Sequence, residues 1–200
     1  MGNLEKALKN YFDELSTEVI QNLGKVLRYM SKERKISYHI IKDIVSNEPE
    51  DFLLQLFELK LLIPPKSFQS SLEWNNQIYN PQPSNEYKLP KIIEILVETA
   101  ITSGDWNPNN AIRVIFRKKG DPDWKKIPFL IEEMKKYIKY QQINGNQIRK
   151  SCTRVGLKNR ANSLIAELKG AYVISPKLSA SFFKTIKQGS PIYEVNPSVV

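Results

Sequence analysis

Between Arg149 and Ser163 lie Arg149, Lys150, Thr153, Arg154, Lys158, Asn159, Arg160, Asn162 and Ser163, side chains of types that hold phosphate or read base edges. No carboxylate interrupts the stretch from Asn144 to Ala166. Cationic groups pair with phosphate oxygens, hydroxyls donate to them, and Arg and Asn can each make paired hydrogen bonds to a base. Three lysines follow in a polar stretch, Lys177, Lys184 and Lys187. A second basic cluster precedes them: Arg113, Arg117, Lys118, Lys119, Lys125 and Lys126, with Trp106, Phe116 and Trp124 nearby. Basic groups mixed with aromatics can serve a polyanion surface, although such tryptophans are more often core residues.

Other chemistry is sparse. With one cysteine, Cys152, no internal disulfide can form and no multi-cysteine zinc site exists. Cys152 falls on an apolar face and reads as core filler, and His39 reads as structural or surface. No phosphate-binding glycine loop, dinucleotide fingerprint or metal-ligand spacing occurs. Glu132 and Glu133 are adjacent on a helix and point apart, and Asp121-Pro-Asp123 resembles a helix entrance. The expectation is a non-enzyme that uses neither metal nor cofactor.

Charge is unevenly placed. The net charge is +9 over 200 residues, yet residues 1–85 hold 10 basic against 11 acidic groups, and residues 86–200 hold 20 against 10. A field confined to one half implies a polyanionic partner, nucleic acid before acidic membrane or protein. The apolar fraction of 41% is enough for a packed core. The longest apolar stretch, Phe52 to Ile63, is interrupted by Gln55, Glu58 and Lys60 and is too short to span a bilayer. No secretory pattern opens the chain, so a cytoplasmic location is expected.

These groups need elements to present them. Leu4 to Leu15 and Val19 to Met30 repeat at helical spacing and predict one long N-terminal helix. Shorter helices are predicted over Tyr38–Val45 and from Pro49, then a strand over Leu61–Ile63. Five prolines between residues 64 and 90 predict a wing and a linker that packs on something, with a boundary near Ser84. Helices follow from Pro90 to Gly104, from Asn107-Pro108 to Gly120, and from Phe129 to Tyr140. Ala111–Phe116 also alternates like a strand, but the helix reading is preferred. Gly145-Asn146 opens a helix with Ile148 and Cys152 inward, and Thr153–Gly156 forms a turn. A second helix, Leu157–Lys169, has Ala161, Leu164, Ile165 and Leu168 inward and Gly170 as its cap. Lys158, Asn159, Asn162 and Ser163 then face outward, with Thr153 and Arg154 at the entrance. Strands are read at Ala171–Ser175 and Pro191–Val195.

Two short helices, a tight turn and a hairpin resemble a winged helix-turn-helix domain over residues 128–197, of the kind common in archaeal DNA-binding, replication and transcription proteins. The phrases NRANSLIAELKGAYVISP and SPIYEVNP carry the likeness. A fainter copy lies over residues 1–70, with Ile36 on Ile143, Ile41 on Ile148, Ile44 on Cys152 and Phe57 on Ile165. The fold expectation is therefore mainly α with small β-hairpin wings in tandem winged domains: residues 1–70, a linker at 71–89, and a basic domain at 90–200. The resemblance implies double-stranded DNA as partner, bound by the second domain in a transcription regulator or replication-associated factor. The first copy begins its corresponding helix Glu48-Pro-Glu-Asp, which repels phosphate and suits protein contact or self-association. The alternatives are a tandem winged-helix protein adaptor similar in fold to the ESCRT-II membrane-remodelling subunits, or an accessory subunit of a nucleic-acid enzyme.

Overall fold

The computed structural model describes residues 2–63, 74, 83–177 and 190–200. The described chain is mainly helical with small antiparallel sheets, and no helix in it is long and apolar enough to cross a membrane. It divides into two compact units, Met1–Ser67 with Ile78–Ala111, and Phe68–Gln77 with Ile112–Val200.

The first unit opens with α1 (Asn3–Tyr11) and α2 (Thr17–Glu33) instead of the single long helix expected. Phe12 leaves helical geometry, and Ser16 restarts the chain by accepting from the Val19 N–H at 3.2 Å. Such a serine cap satisfies a donor that the first turn otherwise orphans. Lys9 Nζ donates to the Leu15 carbonyl at 2.7 Å and fastens the break. Then come β1 (Ile36–Ser37), α3 (Tyr38–Ile44), α4 (Pro49–Glu58), β2 (Glu86–Tyr87) and α5 (Lys91–Ser103). Of the expected strand Leu61–Ile63, only Ile63 forms a bridge, to Lys88. Gly104 closes α5 at φ +74°, a region that glycine enters without a Cβ penalty. Asn3 Nδ2 donates to the Ile101 and Thr102 carbonyls at 3.3 Å, joining α1 to the end of α5. Leu8, Ile20, Leu27, Ile41, Leu53 and Leu96 are buried in this unit.

Helix α5 thus belongs with the first unit, where it packs on α1 and α2. The boundary expected near Ser84, with a separate domain from residue 90, differs from the division at Ala111/Ile112. Prolines mark where a helix cannot run, not where packing stops. Trp74, the one described residue between 64 and 82, is buried against Tyr172 of the second unit.

Helix α6 (Pro108–Lys118) is helical throughout, so Ala111–Phe116 is not a strand. Asn107 Oδ1 accepts from the Asn110 N–H at 2.9 Å to begin it. The second unit continues with α7 (Ile127–Lys135), β3 (Gln142–Asn144), α8 (Gly145–Arg154), a 3-10 turn (Lys158–Arg160), α9 (Ala161–Gly170), β4 (Ile174–Pro176) and β5 (Ile192–Val195). Helix α7 stops five residues before the expected Tyr140, because Tyr140 and Gln141 adopt φ +50° and +56° and turn the chain into β3. A capping box starts α8: Asn144 accepts from the Gln147 N–H, and Gln147 accepts from the Asn144 N–H, each at 2.9 Å. The sheet order is β3-β5-β4, all antiparallel, with Ile143 opposite Tyr193 and Ile174 opposite Val195. β3 adds a strand to the expected two-stranded hairpin. The glycine cap expected at Gly170 is also corrected. Gly170 is helical, and the left-handed residue is Tyr172 at φ +63°.

Both units follow one order: helix, short strand, helix, helix, second strand position, third strand. The first and third pair in each case. The first strands in these orders, β1 and β3, are not among the expected elements.

Candidate nucleic-acid interface

The basic face is built on α8, the turn after it and α9. Gly156 lies at φ +75° with no atom within 4 Å of the place a Cβ would occupy, so backbone geometry alone selects glycine here. The turn drops Leu157 into the core. It leaves Lys158 and Asn159 exposed in the 3-10 turn before α9, beside a hollow of about 200 Å³. The second helix therefore begins as a 3-10 turn and becomes α-helical at Ala161, later than the expected Leu157.

Buried Ile148, Cys152, Leu164, Ile165 and Leu168 fix which sides of α8 and α9 face water. Arg149, Thr153, Lys158, Asn159, Asn162 and Ser163 are exposed on the free sides. Arg149 joins the two helices, its Nε donating to Asn162 Oδ1 at 3.3 Å and its NH1 to Asn146 Oδ1 at 3.2 Å. Both acceptors are neutral, so the guanidinium keeps its full charge beside two amides. Thr153 and Ser163 turn their hydroxyls onto the Arg149 and Arg160 carbonyls, at 3.0 Å and 2.9 Å.

Lys150 and Arg154 are held elsewhere. Each lies 5.5 Å from the Tyr137 ring centroid, and Arg154 also pairs with Glu133 Oε2 at 3.2 Å. Glu133 is held below the usual carboxylate range, first by Lys136 and then by Arg154. An exposed pair of this kind contributes little to stability, but it occupies one charge of the face.

Arg160 is corrected outright as a free contact. Its guanidinium donates to both Asp121 oxygens at 2.7 and 3.0 Å, to Asp123 Oδ2 at 2.8 Å and to Glu167 Oε1 at 3.2 Å. The Asp121 side chain is 2% exposed. Arg160 holds its carboxyl down at about 2 despite burial, and the carboxylates push the Arg160 pKa up. Glu167 moves up instead, first through burial and then through Asp121 beside it. Asp121 is thus not a simple helix entrance. It is the buried anchor of a clamp that holds the first turn of α9. Sequence inspection misses this because the acids lie 37 and 39 residues from Arg160.

Lys177 closes β4, its N–H donating to the Ile192 carbonyl at 2.9 Å. Lys184 and Lys187 lie outside the described residues. In the second cluster Arg113, Arg117, Lys118, Lys119, Lys125 and Lys126 are all exposed. Arg117 and Lys125 lie 5.8 and 5.4 Å from the half-buried Trp124 ring, Lys119 lies 5.9 Å from the Phe116 ring, and Lys126 pairs with Asp123 at 3.1 Å. Phe116 and Trp106 are core residues. His39 is exposed and Cys152 buried. Among the described residues no group of three or more His, Cys, Asp or Glu side chains is placed to hold a metal ion.

No curated protein and no solved structure matches this chain. The model of a protein family does match residues 39–200, from α3 of the first unit through the whole basic face. With that much of it covered, the chain belongs to this family.

Proposed function

We propose that the protein binds double-stranded DNA through the exposed face of α8 and α9, as a transcription regulator or replication-associated factor built from tandem winged-helix units. One observation carries the reading: Arg149, Lys158, Asn159, Asn162 and Ser163 are all exposed, and Arg149 on α8 bonds Asn162 in the first turn of α9. Asp121 and Asp123, which reach this turn from before α7, are each paired with a cation, Asp121 with Arg160 and Asp123 with both Arg160 and Lys126. The start of the second helix is where a helix-turn-helix meets base edges in the major groove. The β3-β5-β4 order agrees with this architecture.

The test is binding of the full chain to duplex DNA across a salt series, followed by fluorescence anisotropy, with single-stranded DNA as control. Affinity should fall steeply with salt, by roughly 0.9 log-log units for each phosphate neutralised. Replacing Arg149 and Lys158 together with alanine should lower that slope by about 2 units. Arg154→Ala should change it less, since that charge is shared with Glu133. Absent or salt-insensitive binding, or an unchanged slope in the double variant, overturns the proposal.

A further inference from the structure

The first unit carries a groove of about 840 Å³ between the start of α2, the α3–α4 loop and the outer side of α4. Four carboxylates line it, Glu18, Glu48, Asp51 and Glu58, and no Lys, Arg or His does. All four are exposed, and none joins an ion pair with a described residue. The groove also has apolar lining. Leu54 is 43% exposed although its neighbours Leu53 and Leu56 are buried, and half-buried Val19 faces the same space from α2.

We infer that this groove docks a basic amphipathic helix of a protein partner, its aliphatic side chains on Leu54 and Val19 and its Lys or Arg groups against the four carboxylates. The charge pattern selects the occupant. A polyphosphate is repelled by the carboxylates, and an uncharged apolar segment leaves them facing nothing. The lining consists of helix and loop residues, with no strand to offer a backbone ladder, so side chains must supply the contacts. A helix presents them at the required i, i+3 and i+4 spacing. This inference stands independently of DNA binding by the second unit.

The test uses the full chain and three fluorescein-labelled helical peptides. One carries lysine and leucine on opposite faces, one has serine in place of leucine, and one has glutamate in place of lysine. Only the first should bind. Asp51→Lys with Glu58→Lys should weaken it at least tenfold, on the order expected when several interfacial charges are reversed. Leu54→Ala, a surface change that leaves the core intact, should weaken it severalfold. Failure of the lysine–leucine peptide to bind, equal binding by the serine peptide, or indifference to the variants overturns the inference. So does sedimentation showing a self-associated protein that the charge-reversal variant dissociates, since the occupant is then a second copy of the chain.

Discussion

Arg160→Ala will destabilise the second unit by about 3 kcal/mol, read by urea denaturation followed by circular dichroism. The size of the effect comes from what is left behind. Asp121 has a 2% exposed side chain, and without the guanidinium it must either remain charged in a poorly solvated site or take up a proton. Arg160→Lys restores the charge but not the two parallel bonds to Asp121, and should recover only part of the loss. Arg149→Ala, whose acceptors are neutral and exposed, is the control and should stay within about 0.5 kcal/mol. The clamp also sets an acid limit. Because the folded Asp121 value is depressed from 3.8 to about 2, its stabilisation is complete above the ordinary carboxylate range and disappears as pH falls through that window. The interval is worth about 2 kcal/mol. Glu167 runs in the opposite sense, its raised value meaning a contribution lost as pH rises through it. Arg160→Ala should therefore flatten the acid side of the stability profile, and an equally steep acid transition in the variant would refute the clamp.

Trp106→Ala will cost the first unit about 3–5 kcal/mol, the usual range for emptying a large aromatic site. Trp106 is 4% exposed and closes a ring cluster with Phe12 at 5.9 Å and Tyr11 at 6.1 Å, while Tyr11 and Phe12 meet edge-on at 4.9 Å. Burial pushes the Tyr11 hydroxyl up to about 12. The cluster sits at the end of α1, where the chain breaks before Ser16, so the cavity would fall beside that break. Trp106→Phe keeps most of the volume and should retain more than half of the lost stability. Equal losses in both variants would mean that the indole itself, not its bulk, is required.

Helices are readable wherever a cap agrees with the apolar spacing: Pro49 at the first position of α4, Gly104 after α5 and Asn107 before α6. Expectation and structure differ where a single signal stands alone. The apolar spacing of Leu4–Met30 continues across Ser16, so periodicity hid a break that serine capping imposes. Gly170 looked like a helix stop, but Tyr172 makes the left-handed turn. β3, with three residues, is too short for alternation to register. The basic face was legible in kind, because the buried positions of α8 and α9 dictate which side chains meet water. Its membership was not. Whether a cation is free depends on carboxylates brought from afar, and Asp121, Asp123 and Glu133 remove Arg160 and part of Arg154 from a face that holds no acid in its own sequence.

Cys152 is the one thiol in the chain, fully buried on α8, and burial pushes it up to about 11. Attack on a disulfide reagent requires an exposed thiolate, so labelling proceeds only when α8 opens. The native protein therefore carries its own clock for that helix. With Ellman's reagent in excess, the rate of colour development reports how often the element bearing Arg149 leaves its neighbours. Duplex DNA that engages this element should slow that rate, and DNA bound elsewhere should leave it unchanged.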